Sequence, residues 1–436
     1  MSERTVNDTE PRTSSARAWW GVGVLTLVYV IALADRQVLS LLVVPVKQDL
    51  GIDDREIALL HGLAFAIFYT FLGIPLGVLA DRTSRRGLIA AGLGAWSVMT
   101  FICGRTTSFA QLFLARMGVG CGEATLSPAA YSWMAASFPR ERLATALGVY
   151  TTGLYLGSGL SLVLGGSVIA FLDSGGASAL PFLSSARPWQ LPFILLGLLG
   201  VACVPLLWTF REPVRAARAA SSRATWRDYI ALVRVNPRAF ASHHLGLACL
   251  SFSAYAVNFL TPTVLRTQLG WTSAQAGIRY GLVLGIAGTL GAFAGGAWAD
   301  RARVRGQRDA NVAAVLYAAL GTIPFAFLFP HATSVAASIT LLALLSFFTG
   351  AGFGVGPAAV QELVPAELRG RASAVYLFAV NLVGALGPYA VALVARAWFG
   401  EVSAPALAIV ASGAGFAAVL ACAWGRAAYS RAVTPS

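Results

Sequence analysis

The chain has 436 residues, of which 57% are hydrophobic and 12% are charged, and its mean hydropathy is +0.69. These values lie far outside the composition of soluble domains and indicate a chain that crosses a membrane many times. The net charge of +13 comes from basic residues in short gaps between apolar runs. Membrane proteins place their topology-setting charges in this way, so no nucleic-acid partner is expected. The five cysteines lie inside apolar runs without metal-ligand spacing. The sequence therefore predicts no metal site, no cofactor and no disulfide framework.

Apolar runs long enough to cross a bilayer, about 20 residues each, occur twelve times along the chain. The predicted spans, numbered one to twelve, cover residues 19–46, 56–80, 87–104, 108–137, 142–172, 189–210, 239–268, 273–299, 310–329, 333–361, 370–398 and 402–425. Arginines concentrate on one side, in residues 81–86, 211–238 and 300–309. By the positive-inside rule that side is the cytoplasm. Both termini are therefore expected inside, and the chain is expected in the cell membrane, the inner membrane of a bacterium.

The spans divide the chain into two bundles joined by a basic linker. The expected units are a cytoplasmic tail 1–18, an N-terminal six-helix bundle 19–210, a cytoplasmic linker 211–238, a C-terminal six-helix bundle 239–425 and a cytoplasmic tail 426–436. In the linker, Trp226, Tyr229, Ile230 and Val233 repeat at near-helical spacing among seven arginines. This pattern predicts a helix on the membrane surface, which either fixes the topology or, in a more specific hypothesis, senses phospholipid.

The two halves of the chain repeat the same motifs at corresponding spans. Residues 77–82 (GVLADR) after span two correspond to residues 296–301 (GAWADR) after span eight. Residues 138–150 and 364–376 share proline, glutamate, valine and tyrosine in the same register. Duplication in the same orientation predicts two bundles related by an axis along the membrane normal, with a central site that opens alternately to either side.

These motifs carry a resemblance to a known family. Residues 77–86 (GVLADRTSRR) resemble the loop motif of the major facilitator superfamily, with Ser84 where glycine is usual, and residues 116–122 resemble its fourth-span motif. Three further segments are similar to the spinster family: residues 35–37 (DRQ), 45–51 (PVKQDLG) and 118–131 (GVGCGEATLSPAAY). The resemblance implies an all-α polytopic membrane protein with the major facilitator fold, twelve transmembrane helices in two six-helix bundles. It also implies a cavity lined by spans one, four, seven and ten, and transport of lysophospholipids or sphingosine-1-phosphate.

Four ionisable residues lie near the middle of spans one and four: Asp35, Arg36, Arg116 and Glu123. Charges at this depth are costly and persist mostly where they face a cavity or a partner. Arg116 and Glu123 are two helical turns apart, so both are expected to point into the cavity. Asp35 and Glu123 are predicted to couple protons, because a carboxylate that gains or loses an arginine neighbour changes its proton affinity. Arg36 and Arg116 are predicted to hold an anionic substrate head. The alternative is a permanent ion pair that fixes span one against span four.

The loop motif predicts a gate at the cytoplasmic end. An acid at the end of span two, Asp81, would cap the positive N-terminus of span eleven and hold the inner gate shut. The predicted gate and loop-motif residues are Gly77, Asp81, Arg82, Arg85, Asp300 and Arg301. The alternative for this motif is a topology signal alone.

Polar and aromatic residues of the predicted spans are candidates for the rest of the substrate cavity. They are Phe65, Phe68, Tyr69, Tyr131, Tyr150, Tyr155, Tyr255, Asn258, Tyr376 and Asn381. Asn258 and Asn381 are the strongest of these, because an amide that faces hydrocarbon without a partner is costly. For each residue, helix packing or lipid contact is the alternative.

Together these features predict a proton-coupled secondary transporter that moves a lysophospholipid or sphingosine-phosphate-like amphiphile by alternating access. Its partners would be that lipid or another small-molecule substrate, protons and the lipid bilayer, and the protein is expected to be monomeric. No HExxH or GxSxG motif and no phosphate-binding loop occurs in the sequence, so no enzyme is predicted and no catalytic residue is assigned. Alternatives are a major facilitator transporter of small organic anions, sugars or drugs, and a non-transporting membrane receptor or scaffold.

Overall fold

The computed structural model describes residues 16–52, 56, 59–60, 64–173, 187, 189–213, 225–399 and 404–433, and the regular structure of these residues is entirely helical. The α-helices, numbered here in chain order, are α1 Ala16–Leu41, α2 Val43–Leu50, α3 Ala64–Arg82, α4 Arg85–Cys103, α5 Phe109–Glu123, α6 Leu126–Ser137, α7 Arg140–Asp173, α8 Gln190–Cys203, α9 Trp226–Val235, α10 Pro237–Leu269, α11 Ser273–Val283, α12 Thr289–Val304, α13 Ala310–Leu328, α14 Val335–Glu362, α15 Arg369–Gly384, α16 Gly387–Trp398 and α17 Ala404–Ala432.

The helices account for the predicted membrane crossings. Ten helical stretches of the described chain are long and apolar enough to span a membrane, and they correspond to spans one, three and five to twelve. Span two is represented by α3, and span four by α5 together with α6. The predicted start of span two, at residue 56, falls in a stretch that is mostly outside the described residues. The all-helical, polytopic fold class predicted from the sequence is confirmed.

Among the described residues, three spans are divided into two α-helices each, and a proline follows every division. The divisions precede Pro45 in span one, Pro128 in span four and Pro388 in span eleven. Proline has no backbone N–H and cannot complete the hydrogen bond to the carbonyl four residues earlier, so a helix is weakest at that point. Span eight is interrupted differently, by a π-helical turn over Leu284–Gly288.

The last helix is longer than the sequence predicts. Span twelve was expected to end at residue 425, with a tail over 426–436, but α17 continues to Ala432. Tyr429 explains the extension, because it is buried and its hydroxyl donates to the carbonyl oxygen of Ala359 at 2.7 Å. At the other end, α1 begins at Ala16, and residues 1–15 of the predicted N-terminal tail lie outside the described residues.

The N-terminal half (α1 to α8) and the C-terminal half (α10 to α17) meet mainly along two pairs of spans. Span five packs against span eight through α7, α11 and α12, and span two packs against span eleven through α3 and α15. Glycines permit both approaches: a Cβ at Gly77 would lie 2.6 Å from the carbonyl oxygen of Gly370, and one at Gly159 would lie 2.5 Å from that of Gly281. Because spans two and eight correspond in the repeat, as do spans five and eleven, the two contacts are reciprocal.

The linker contains the helix that the sequence predicts, α9. Thr225 and Asp228 form its capping box, and the backbone N–H and hydroxyl of Thr225 hold the pKa of Asp228 below its usual range. Tyr229 is buried against Phe240 of α10, with ring centroids 6.0 Å apart. Trp226 remains exposed among arginines, which gives α9 a surface suited to the bilayer interface. Residues 214–224 of the linker lie outside the described residues.

The topology predicts which loops an impermeant thiol reagent can reach. We expect a single cysteine at Val235, 76% exposed on the linker helix, to be labelled only after cells are permeabilised. A cysteine at His331, exposed in the loop between spans nine and ten, should be labelled in intact cells. Both variants are made in a chain whose five native cysteines are replaced by alanine. Labelling of Val235→Cys in intact cells would show that the topology is inverted.

Candidate functional site

Two ion pairs cross between α1 and α5 at the centre of the N-terminal half. Arg36 Nη2 lies 2.8 Å from Glu123 Oε2, and Arg116 Nη1 lies 3.6 Å from Asp35 Oδ1. Arg116 also donates to the backbone carbonyl oxygen of Asp35 at 3.4 Å, and the hydroxyl of Thr100 on α4 donates to the Asp35 carboxylate. The structure thus brings together the four charged residues singled out in spans one and four.

The two ion pairs differ in their exposure. The Arg116 and Asp35 side chains are 0% and 2% exposed, whereas those of Arg36 and Glu123 are 22% and 1% exposed. The sequence predicts both arginines on the cavity wall, but in this conformation Arg116 is fully enclosed. It turns towards Asp35 because a buried guanidinium needs a counter-charge. A ligand between the two halves can meet Arg36 directly.

Tyrosines from both halves surround Arg36. Its guanidinium carbon lies 4.5 Å from the ring centroid of Tyr69 on α3, a cation–π contact. Tyr255 on α10 of the C-terminal half lies within electrostatic range of the same guanidinium. Arg36 therefore faces the space between the halves, and two of the predicted cavity tyrosines lie around it.

A second group of tyrosines stacks behind this position. Tyr29 lies parallel to Tyr150 with centroids 4.6 Å apart, and Tyr131 meets Tyr150 edge-on at 5.6 Å. The Tyr150 hydroxyl is 3.2 Å from Ser127 Oγ. Tyr29 was missed by sequence reasoning, although its position two helical turns before Arg36 places both on the same face of α1.

Both predicted asparagines have phenolic partners. Tyr255 donates to Asn381 Oδ1 at 2.9 Å, and Tyr280 donates to Asn258 Oδ1. These bonds join span seven to spans eleven and eight. An amide at this depth is retained because a hydroxyl satisfies its oxygen. Tyr280 was not identified from the sequence.

The remaining predicted cavity residues differ from one another in their surroundings. Tyr376 is buried, with its ring centroid 5.3 Å from that of His243. The buried hydroxyl of Tyr155 has no hydrogen-bond partner among the described residues. Phe65 and Phe68 lie on α3, in a stretch whose side chains are outside the described part of the structure.

Asp81, at the end of α3, accepts hydrogen bonds from the first turn of α15. The backbone N–H groups of Gly370 and Arg371 donate to its two oxygens at 2.7 and 3.3 Å, and Arg371 Nη1 lies 2.7 Å from Oδ2. Both side chains of the Asp81–Arg371 pair are 2% exposed. An acid at a helix N-terminus interacts favourably with the helix dipole, so this contact ties span two to span eleven. Arg371 was missed by sequence reasoning.

Asp300 makes the corresponding contact in the opposite direction. Its carboxylate accepts from the backbone N–H groups of Ala144 and Thr145 on α7, at 3.1 and 2.7 Å. In the repeat, Ala144 and Thr145 align with Gly370 and Arg371, so each half supplies one acid to the equivalent turn of the other. The two contacts differ because Thr145 stands where the second half has the arginine that pairs with Asp81.

The other loop-motif residues lie around these contacts. The backbone N–H of Arg85 donates to Glu212 Oε1 at 2.7 Å, and its Nε donates to Ser132 Oγ at 2.9 Å. Arg85 thereby connects α4 to α6 and to the start of the linker. Arg82 and Arg301 are exposed. Glu212 and Ser132 were not identified from the sequence.

Known proteins resemble this chain along most of its length. It is 31% identical over 407 residues to an MFS-type efflux pump of Mycolicibacterium smegmatis, covering 92% of this chain and 90% of that protein. It is 27% identical to the sphingosine-1-phosphate transporter SPNS2 of Mus musculus, covering 67% of this chain but only 54% of that protein. A crystal structure of a bacterial homologue of the human lysosomal transporter spinster, inward-facing and unoccupied, superimposes with a TM-score of 0.65 at 25% identity, covering 98% of this chain and 100% of that one.

The family assignment rests on the length of the match as well as on the fold. The sequence model of the Major Facilitator Superfamily matches residues 25–388. Apolar side chains such as Leu195, Leu198 and Phe416 are exposed on the outer helices, as expected for a protein embedded in lipid. The crossed ion pairs and reciprocal acid contacts described above lie within the matched region. The chain belongs to the major facilitator superfamily of integral membrane transporters and resembles its spinster members.

Proposed function

We propose that the chain is a proton-coupled secondary transporter of a lysophospholipid or sphingosine-phosphate-like amphiphile and works by alternating access. The observation that carries the proposal is the Arg36–Glu123 pair, in which a partly exposed guanidinium is held 2.8 Å from an enclosed carboxylate. A cation that can reach a ligand and a carboxylate that can titrate are thus in direct contact. The chain uses no cofactor or metal in this proposal and is not an enzyme.

Arg36 is the group that meets the anionic head of the substrate. Its planar guanidinium can donate two parallel hydrogen bonds to a phosphate or carboxylate. Tyr69 holds the guanidinium through a cation–π contact, with the guanidinium carbon 4.5 Å from its ring centroid. The aromatic and aliphatic walls of the cavity beyond this site contact the tail. Arg116 joins the head-group site only in a conformation in which Asp35 releases it.

The carboxylates couple the substrate to protons. When a phosphate engages Arg36, Glu123 loses its partner and is left as a buried anion, which favours protonation. Its second oxygen, Oε1, is buried without a hydrogen-bond partner among the described residues. Asp35 and Arg116 form a second unit of the same kind. Proton and substrate then alter each other's affinity through shared residues.

The acid contacts at the loop-motif end act as the gate. Asp81 and Asp300 both bridge the two halves in this conformation, so the predicted cytoplasmic end is closed at these helices. Both contacts have to break before that end can open, so they bias the conformational equilibrium towards the closed state. We place both termini and this gate in the cytoplasm, the protein in the inner membrane, and its working form as a monomer.

A second candidate function comes from the relative that matches most of the chain. The Mycolicibacterium smegmatis protein is named an efflux pump and aligns with 92% of this chain, which favours export of a drug-like amphiphile as the alternative. The crossed ion pairs favour an anionic substrate. The two candidates are separated by whether a phosphate-bearing lipid or an uncharged amphiphile is transported.

Substitution of Arg36 by lysine tests the head-group role. Lysine keeps the charge but lacks the planar fork, so we expect uptake of a phosphate-bearing lysolipid into proteoliposomes to fall by about tenfold. Uptake of an uncharged amphiphile of equal chain length should fall less. Arg279→Lys is the matched control, because Arg279 is exposed and stacked on Trp271 at 4.5 Å, away from the ion pairs. Equal losses for both ligands in Arg36→Lys would assign Arg36 a structural role.

Substitution of the carboxylates tests proton coupling. Glu123→Gln is nearly isosteric with the protonated acid and cannot titrate, so transport should lose its dependence on a pH gradient while the protein remains folded. Asp35→Asn should act in the same way if the two ion pairs share the coupling. Uptake is measured with and without an imposed gradient, and proton entry is followed with an internal dye. Proton entry at wild-type stoichiometry in both variants would exclude these carboxylates as carriers.

The gate predicts unequal effects of two equivalent substitutions. Asp81→Asn removes the carboxylate that lies 2.7 Å from the buried guanidinium of Arg371, and loss of this buried ion pair should disfavour the closed state by about 3 kcal/mol. Asp300→Asn removes carboxylate contacts to two backbone N–H groups and to the side chain of Thr145, all of which are uncharged, so the loss should be about 1 kcal/mol. Distances between spin labels on the gate ends of the two halves report the populations. Pairing Asp81→Asn with Arg371→Gln should recover part of the closed state, and equal shifts for both single variants would contradict the asymmetry.

A further inference from the structure

Polar side chains form a line along one face of α10, the helix of span seven. At 100° per residue, five positions lie within about 80° of one another around the helix axis. We name this line the α10 stripe, and it consists of His244, Ser251, Tyr255, Asn258 and Arg266. Its ends are 22 residues apart, about 33 Å along an ideal helix, which matches the thickness of a bilayer core.

The two ends of the α10 stripe are exposed to different extents. Tyr255 is 38% exposed and lies within electrostatic range of Arg36 of the other half, so this side of α10 borders the space between the halves. Towards the predicted outer end, Asn258 and Arg266 are also exposed. Towards the gate, Ser251 is completely buried, and so is the Nε2 atom of His244. The stripe is therefore open on one side of the central site and closed on the other.

The closed part of the stripe contains two polar atoms without partners. Ser251 Oγ and His244 Nε2 have no hydrogen-bond partner among the described residues. Ser251 lies close to span eleven, since a Cβ at Gly384 would be 2.5 Å from its Oγ. Buried polar atoms have hydrogen-bond partners in most native structures, and a buried polar atom without a partner is unfavourable. Two such atoms on one face indicate that their partners arrive in another conformation.

The contacts of the histidine pair fix which nitrogen is available. His243 Nε2 lies 2.8 Å from the carbonyl oxygen of Gly356, and His244 Nδ1 lies 2.8 Å from that of Phe240. A carbonyl oxygen can only accept, so both of these nitrogens carry hydrogen. In the neutral ring, His244 Nε2 is then a lone-pair acceptor. It can take a hydrogen bond from an O–H or N–H group but cannot donate one.

We propose that the α10 stripe is the path of the substrate's polar head along the C-terminal half, and that His244 Nε2 accepts a hydrogen bond from an O–H or N–H group of that head. The inference rests on the proposed function and names the class of head group. Opening at the gate exposes Ser251 and His244, and the head moves from Tyr255 towards them. A lysolipid with an ethanolamine or glycerol head can donate to His244, whereas the trimethylammonium of a choline head has no hydrogen to donate.

Two substitutions of His244 distinguish the role of its Nε2 acceptor from the role of the rest of the ring. Asparagine keeps a donor near the Nδ1 position, which can serve Phe240, but has no atom at the Nε2 position. Glutamine reaches the Nε2 position with an acceptor oxygen. Uptake of lysophosphatidylethanolamine and lysophosphatidylcholine with the same acyl chain is measured in proteoliposomes. The wild type should prefer the ethanolamine lipid by about fivefold, the value of one hydrogen bond.

We expect His244→Asn to reduce this preference to about one, and His244→Gln to retain it. His331→Asn, on the exposed outer loop, is the control and should leave the preference unchanged. Ser251→Ala, which changes packing little, should slow uptake of both lipids by up to about fivefold. Three outcomes would overturn this inference and leave the proposed function intact. They are retention of the preference in His244→Asn, equal loss of the preference in both His244 variants, and unaltered uptake in Ser251→Ala. A wild type that takes up neither lipid would remove lysophospholipids from the proposed function, and would overturn the inference with them.

Discussion

A charge or an amide inside the hydrocarbon of a membrane has to keep a partner, and the functional residues of this chain are arranged around that constraint. Arg36 pairs with Glu123 and Arg116 with Asp35, while each asparagine of the cavity accepts from a phenol. Such groups cannot lose a partner without replacing it. In the proposed transport cycle, a conformational change therefore proceeds by exchange of partners, and the substrate or a proton takes part in the exchange.

The duplication that built the two halves has been preserved at the gate and lost at the centre. Asp81 and Asp300 contact equivalent turns of the opposite halves. At the centre, the alignment of Pro128 with Pro357 places Gly352 at the position of Glu123 and Leu345 at that of Arg116. The first half supplies paired charges, whereas span seven supplies hydroxyl, phenol, amide and imidazole groups. Under the proposed function, ionic contacts thus set the affinity for the anionic substrate, and neutral hydrogen bonds distinguish among head groups.

Features that depend on position along a span could be predicted from the sequence, whereas those that depend on neighbours across spans could not. The depth of the four central charges and the repeat of the acids after spans two and eight are properties of spacing. The crossed pairing, and the enclosure of Arg116, depend on how α1 is rotated against α5, which spacing does not determine. Arg371 and Glu212 were missed for the same reason, since each is defined by a partner far away in the chain. The divisions of these spans lie just before prolines that are visible in the sequence, but the length of the apolar runs alone predicts continuous helices.

The division of span four has a consequence for the order of events in transport. Its first segment, α5, carries Arg116 and Glu123, and its second segment, α6, lies at the proposed gate. There Ser132 accepts from Arg85, and the carbonyl oxygen of Ala135 accepts from Arg369 of the other half at 2.9 Å. The break between α5 and α6 follows Glu123 directly. A continuous helix would transmit any tilt of its inner end to the carboxylate, whereas a hinge at this point absorbs it. In the proposed transport cycle, the second segment can therefore tilt while Glu123 remains beside Arg36, which allows the gate to open before partners are exchanged at the centre.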